Sequence, residues 1–273
     1  MYKGECWWIT GASSGIGESL AQALAARGAS LVLSGRNVAA LEKVAKSCQD
    51  ALVLPFEATD FDRIPDIVER AWKWKGRIDA LVNNAGISQR SLALETQFPV
   101  YRKMIEVDLL APIALTQALL PRMVKAGGGR VVAISSVAGI IGAPLRSAYS
   151  AAKHGLIGYH DSVRAENEHL GIQVHVVAPG PIRTDVSKNA LTADGSRRGV
   201  SDSTIDNGMP PDEAAQAILA AIDAGKRELV LATGPELEAA ALRRRDPEAL
   251  FDRMSARVRE GYAAKMAADK GKG

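Results

Sequence analysis

Tyr149-Ser150-Ala151-Ala152-Lys153 sets a phenol and an ammonium four residues apart. On a helix, positions i and i+4 share a face, so both groups point to the same place. A free tyrosine titrates near about 10 and is a poor base at neutral pH. A neighbouring cation favours the phenolate, which makes the pair a credible acid–base device. Tyr-x-x-x-Lys also arises by chance in many helices, so its surroundings decide. Ser135 and Ser136 end a strand-like run, at the carboxyl edge where open α/β sheets bind ligands. Ser136 lies 13 residues before Tyr149, enough for a short loop to bring hydroxyl beside phenol, with Ser135 as its competitor.

Near the start, Thr10-Gly11-Ala12-Ser13-Ser14-Gly15-Ile16-Gly17 follows a strand-like run and precedes a helical one. Glycines there allow a tight turn and a close approach of backbone to a pyrophosphate. A helix N-terminus offers free N–H groups and a positive dipole end to the same anion. No Lys-Ser or Lys-Thr follows the glycines, so a mononucleotide P-loop is excluded. A dinucleotide is expected, and its oxidised nicotinamide would bring a second positive charge to the phenol. The second strand ends Leu33-Ser34-Gly35-Arg36-Asn37, with no acid before Glu42. An acid there reads a ribose 2′-hydroxyl and an arginine a 2′-phosphate, which favours NADP(H) over NAD(H). The alternative is that Arg36 stacks on adenine without reading the phosphate.

The elements that must position these groups alternate. Short Val-, Ile- and Leu-rich runs at Cys6–Thr10, Ser30–Ser34, Ala51–Phe56, Ala80–Asn83, Arg130–Ser135, Gln173–Ala178 and Glu228–Leu231 read as strands covered on both faces. Helical stretches lie between them at Gly15–Arg27, Val38–Ser47, Asp62–Lys73, Val100–Lys125, Tyr149–Leu170 and Pro211–Ala224. The alternation predicts an α/β fold of Rossmann type: a doubly wound, seven-stranded parallel sheet with helices on both faces. No repeat or low-complexity linker divides it. One catalytic domain over 1–233 is expected, with 234–273 as its helical C-terminal extension. Val186–Met209 is polar and holds Gly195, Gly199 and Gly208, which suits a lid or a plain surface loop. The tail after Thr233 reads as one or two solvated helices; oligomer contacts or docking to a membrane surface are further readings.

Across 273 residues the net charge is only +3, too small and too evenly spread for a nucleic-acid binder. With 47% hydrophobic and 24% charged residues, disorder is also excluded. Cys6 and Cys48 lack metal-ligand spacing and read as ordinary thiols; no metal is expected. No signal peptide and no run near the ~18 apolar residues of a membrane span is visible, so a cytoplasmic protein is expected.

Taken together, Thr10–Gly17, Asn83-Asn84-Ala85-Gly86, Ser136, Tyr149-x-x-x-Lys153 and Pro179-Gly180-Pro181 resemble the short-chain dehydrogenase/reductase family, over about Lys3 to Leu231. The stretch from Ser136 to Glu166 resembles the branch that includes 11β-hydroxysteroid dehydrogenases. The resemblance implies that Tyr149 is the general acid/base, that Lys153 assists it and holds the nicotinamide ribose, and that Ser136 orients the substrate oxygen. It places Gly11, Ser13, Ser14, Gly15, Ile16 and Gly17 on the pyrophosphate and Asn83, Asn84, Ala85 and Gly86 along the cofactor. Pro179, Gly180, Ile182 and Thr184 would meet the nicotinamide end. The Asn-Asn-Ala-Gly run also reads as a turn that braces the sheet. Relatives imply a homodimer or homotetramer built on the helices holding Asp108 and Tyr149.

Two positions depart from the family pattern. Asp108 stands where an asparagine commonly holds a relay water. Pro112 lacks the N–H that would bond the Asp108 carbonyl four residues back. A kink is expected there, with the Asp108 backbone oxygen taking the water; a purely local polar contact of Asp108 is the alternative. Glu57 replaces the usual aspartate near the adenine amine and either reaches it or points to solvent, while the Ala58 backbone contacts adenine. Ile87, Ile140, Ala143, Leu145 and Val186 are apolar candidates for the pocket, and Arg90, Arg146 and Arg183 are possible handles. They suggest an apolar small-molecule ketone or alcohol. Reduction of a 3-oxoacyl thioester is a rival, and a non-catalytic NADP(H)-sensing protein is an alternative of another class. Sugar-nucleotide epimerisation shares the Tyr/Lys pair but fits the glycine spacing poorly.

Overall fold

The computed structural model describes residues 1–261, so the last twelve of the expected extension lie outside the described residues. Its sheet is built from β1 (Cys6–Thr10), β2 (Ser30–Ser34), β3 (Ala51–Val53), β4 (Ala80–Asn83), β5 (Gly129–Ile134), β6 (Ile172–Pro179) and β7 (Glu228–Leu231). The order is β3-β2-β1-β4-β5-β6-β7 and every pair is parallel. Order reverses between β1 and β4, which opens a crevice at their carboxyl ends. The predicted strands all form. β3 is shorter than expected because Pro55 has no N–H to give the ladder, although Leu54 and Phe56 still donate to the carbonyls of Leu33 and Gly35.

Side chains alternate across each strand. Trp7, Ile9, Leu31 and Leu33 pack on one face, under α1 (Gly15–Ala26), α2 (Val38–Lys46) and a later helix. Trp8, Val32, Leu81 and Val131 pack on the other, under α3 (Ile64–Lys75) and two later helices. Both faces are apolar and covered, as continuous hydrophobic strands require.

The long helix expected at 100–125 is three pieces: α4 (Phe98–Ile105), a π-helical turn at Glu106–Leu110, and α5 (Ala111–Lys125). The Ala111 N–H reaches the Glu106 carbonyl, five residues back. Pro112 gives the reason: no N–H is available for the Asp108 carbonyl, and the helix widens by one residue. The expected kink is therefore a π-turn. The stretch Phe98–Lys125 is long and apolar enough, by length and composition, to cross a membrane, contrary to the expectation that no run approaches this. In the fold Met104, Leu115, Leu119 and Met123 of this stretch are buried in the core.

α6 (Ser147–Asn167) carries the Tyr/Lys pair from its first turn. After β6 the segment 186–209 is not an open loop. Leu191 exchanges backbone hydrogen bonds with Ser88 and Arg90, Met209 bridges to Ile182, and α7 (Ser203–Asp206) lies within it. Asp202, fully buried, caps α7 and forms ion pairs with Arg90 and, at 3.8 Å, Arg146. α8 (Pro211–Asp223) returns to pack on α1 beneath the first face. Two helices follow β7, α9 (Gly234–Arg245) and α10 (Pro247–Arg259). They are not simply solvated: Ala239, Ala240 and Leu250 are buried against Val137 and Ile141.

Candidate active site

The turn between β1 and α1 is shaped by its glycines. Gly11 and Gly15 have φ of 65° and 58°, the left-handed region that glycine occupies freely. A Cβ on Gly11 would stand 2.9 Å from the Ala85 Cα, and one on Gly17 would strike the Gly11 carbonyl. Ser14 caps α1 without a side-chain bond to the first turn, so the amides at Gly15, Ile16 and Gly17 are left for an anion. Ser13 lies beside Gly35, and Thr184 lies against Gly15. Asn84 holds this turn from β4: its amide donates to the Thr10 and Gly11 carbonyls at 2.9 and 3.2 Å. The Thr10 hydroxyl accepts from the Asn84 and Ala85 N–H groups, each at 3.0 Å. This cradle is backbone-lined and fits a dinucleotide.

Asn83 does not face the cradle. It is buried and donates to the Thr116 hydroxyl at 2.8 Å, beside His160. It braces β4 to the helices rather than lying along a cofactor. Burial lowers the pKa of His160 to about 4, which keeps that ring neutral beside the amide.

At the outer edge Arg36 and Glu57 form an ion pair at 3.6 Å. Glu57 also accepts from the N–H and hydroxyl of Thr59 at 3.3 and 3.2 Å. Partial burial works against its charge, but the Thr59 bonds and the Arg36 charge win and hold its pKa below the usual value. Of the two alternatives for Glu57, adenine or solvent, the structure shows the second: its side chain is exposed and turns toward Arg36. Ala58 is half-buried beside it.

The acid–base group forms where β5 meets α6. Lys153 is buried and donates to the Ile134 carbonyl at 3.1 Å. Its ammonium sits 5.7 Å from the Tyr149 ring centroid, and the Arg146 guanidinium sits 5.9 Å from it. Two cations thus flank one phenol ring, within the range of cation–π attraction. Ser135 is committed elsewhere, donating to the Lys153 carbonyl at 3.0 Å. The Ser136 hydroxyl accepts from the Ala138 N–H at 3.1 Å and contacts the Pro179 carbonyl at 3.4 Å. It lines a cavity of about 160 Å³. Asp108, fully buried on the π-turn, reaches the same corner: its Oδ1 accepts from the Ile87 N–H at 2.8 Å.

Ala143, Arg90 and Arg146 line the cavity as expected, together with Pro179 and Gly180. Ile87 packs with Tyr149, Ile140 packs toward the C-terminal helices with Ile141 taking its expected place, and Val186 lies outside the lining. Ile182 is buried in the sheet core. Leu145 has φ 65°, rare for a side-chain-bearing residue, and its carbonyl accepts from the Ser91 N–H. The sequence reading missed the roof, which is Ile205 from α7 with Ala239, Leu250 and Met254 from α9 and α10. The i, i+4 spacing of Leu250 and Met254 in a charged helix was the available signal.

A parallel sheet in this order, with a glycine cradle at its switch point, defines a Rossmann-type dinucleotide-binding protein. The short chain dehydrogenase family pattern matches residues 5–195. The chain is 40% identical over 267 residues to dehydrogenase/reductase SDR family member 7B of Bos taurus, covering 94% of this chain and 82% of that protein. A short chain dehydrogenase of Burkholderia cenocepacia, solved in complex with NADP, superposes with a TM-score of 0.79 at 26% identity, over 93% and 98% of the two chains. A short chain dehydrogenase/reductase of Burkholderia phymatum, solved with NAD, shares the fold at a TM-score of 0.80 and 19% identity, over 90% and 95%. The chain belongs to the short-chain dehydrogenase/reductase family, whose members are oxidoreductases that use a nicotinamide cofactor.

Proposed function

We propose that the chain is an NADP(H)-dependent oxidoreductase acting on a carbonyl or secondary alcohol of an apolar small molecule, with Tyr149 as the acid–base group. The observation that carries this is the pairing of Tyr149 with the buried Lys153 ammonium, at the sheet edge where the Ser136 hydroxyl opens on a cavity that is apolar at Ile141, Ala239 and Leu250 and charged at Arg146, Arg253 and Arg257. The backbone at Gly11–Gly17 would hold the pyrophosphate, Arg36 the 2′-phosphate, and Lys153 the nicotinamide ribose. The cofactor supplies or takes the hydride. Tyr149 gives a proton to the carbonyl oxygen as it becomes an alcohol, or takes one from the alcohol. Ser136 holds that oxygen, and Lys153 keeps positive charge next to the phenol through the transfer. Arg146 adds a second cation to the same ring.

The cofactor preference rests on Arg36 and the absence of an acid at the end of β2. Solved relatives of this fold hold either dinucleotide. The test is a screen of steroid ketones, long-chain aldehydes and 3-oxoacyl thioesters against NADPH and NADH, followed at the nicotinamide absorbance. NADPH is expected to be consumed with the higher kcat/KM and with a simple ketone or aldehyde. Preference for NADH refutes the role of Arg36; turnover confined to thioesters replaces the substrate class. Tight NADPH binding with no turnover makes the protein a sensor. The same reading makes the chain a homodimer or homotetramer on its α4–α6 faces, where Phe98 and Leu110 stand exposed, and light scattering checks it.

A further inference from the structure

Gln89 is polar, fully buried and absent from the chemistry above. Its side-chain amide donates to the Ser91 carbonyl and hydroxyl, each at 2.9 Å, and to the Thr96 hydroxyl at 3.1 Å. These bonds fold the segment after β4 back on itself and fix the direction of the one remaining polar atom, Oε1. That oxygen accepts from the Ala148 N–H at 3.2 Å, 59 positions along the chain. Ala148 lies in the first turn of α6, immediately before Tyr149.

The first amides of a helix have no partner within the helix, and a side chain at the N-cap ordinarily takes one of them. On α6 that position is Arg146, which makes no such bond. Gln89 does the task from outside. The turn that leads into α6 is under strain: Leu145 stands at φ 65°, a conformation costly for a residue with a side chain. The Ser91 N–H holds the Leu145 carbonyl at 3.1 Å. Residues 89–91 therefore grip the start of the helix at two points, one on each side of Arg146. The gripping run is pinned in turn. Leu191, on the segment that carries Ile205 to the roof of the cavity, bonds the backbone of Ser88 and Arg90, each at 2.8 Å.

We infer that Gln89 is a positioning residue for Tyr149: it caps α6 from a neighbouring segment and sets where the phenol meets the substrate oxygen. The inference rests on Tyr149 being the acid–base group. Gln89 does not line the cavity and acts through the helix alone. Without its Oε1 the buried Ala148 N–H loses its partner, the turn at Leu145 is free to relax, and the first turn of α6 shifts. Lys153 lies one turn further in and is anchored to the Ile134 carbonyl of β5, so it stays. Phenol and ammonium are then separated rather than moved together. A displacement of about 1 Å at a reacting group lowers a rate on the order of a hundredfold.

The test is single-turnover reduction of a carbonyl that the wild type reduces, with rates expressed per bound NADPH so that unfolded protein does not count. Gln89→Met fills the space and removes the acceptor. Its maximal rate is expected to fall at least tenfold, while NADPH affinity and the half-saturating substrate concentration stay within about threefold. Its Ala148 amide is expected to exchange hydrogen at least tenfold faster than in the wild type. Thr96→Val leaves the Gln89 amide both Ser91 acceptors and leaves Oε1 on Ala148. It is expected to lower the thermal midpoint and to keep the rate within about twofold. In a Tyr149→Phe background Gln89→Met is expected to add no further loss, because no hydroxyl is left to place. A wild-type rate in Gln89→Met overturns the inference. So does an equal loss of rate in Thr96→Val, which makes Gln89 one loop brace among others, or a further tenfold loss on top of Tyr149→Phe. An Ala148 amide that exchanges in the wild type as fast as an exposed one overturns it too, and decides the matter should Gln89→Met fail to fold. A wild type that reduces no carbonyl overturns the dehydrogenase reading, and Tyr149→Phe at the wild-type rate overturns the role of the tyrosine; either takes the inference with it.

Discussion

A buried carboxyl weakens a fold whenever it ionises, and Asp108 is fully buried with a pKa raised by burial to about 6. Its folded pKa lies above the unfolded value, so the folded state binds the proton more tightly. Asp108 is therefore harmless below the unfolded pKa, near about 4, and its stability contribution is lost as pH rises through about 6. With roughly two pKa units at about 1.4 kcal/mol each, the loss reaches about 3 kcal/mol. Asp108→Asn keeps the acceptor for the Ile87 N–H and removes the ionisation. Urea unfolding at pH 4.5 and 7.5 should show the variant gaining on the wild type by up to this amount at the higher pH. Equal differences at both pH values would mean that Asp108 does not titrate in this window. Arg36 and Glu57 show the residue scale from its other side. Their types were visible in the sequence, but their mutual ion pair was not, because it joins the ends of two neighbouring strands.

The element that positions Asp108 is the π-turn, and Pro112 causes it. Restoring an N–H with Pro112→Ala lets the Asp108 carbonyl take an ordinary helical bond and turns its side chain away from Gly86. Turnover should fall more than tenfold while NADPH binding, held mainly by the backbone of the glycine cradle, stays within about twofold. Titration calorimetry beside steady-state kinetics checks this, and an unchanged kcat discards the role of the turn. Pro112 also shows how legible the elements were. Strand cores such as 7–9 and 31–33 stood out because both faces are buried and every residue is apolar. The extra residue of the π-turn did not, because periodicity alone cannot distinguish a widened turn from a kink. The 186–209 segment read as open loop for a related reason: the Leu191 backbone in it bonds to Ser88 and Arg90, about a hundred positions away.

Across the molecule, that segment and the C-terminal helices line one cavity at the catalytic edge. The clamp between Arg90 and Asp202 ties the loop after β4 to the segment after β6, and both partners are buried. Removing one partner strands the other's charge, so Asp202→Ala should cost roughly 3–5 kcal/mol in denaturant unfolding. A loss under about 1 kcal/mol would place the pair among exposed, weakly coupled ions. Long-range partners explain why the roof of the cavity was not legible: Leu250 and Met254 become pocket residues only when α10 folds back onto Ile141. The account as a whole turns on proton transfer by Tyr149. Single-turnover reduction by Tyr149→Phe, measured with NADPH bound and a substrate the wild type reduces, tests it most directly. The rate should fall by about 10²–10⁴-fold with NADPH affinity unchanged; a rate equal to that of the wild type would contradict the assignment.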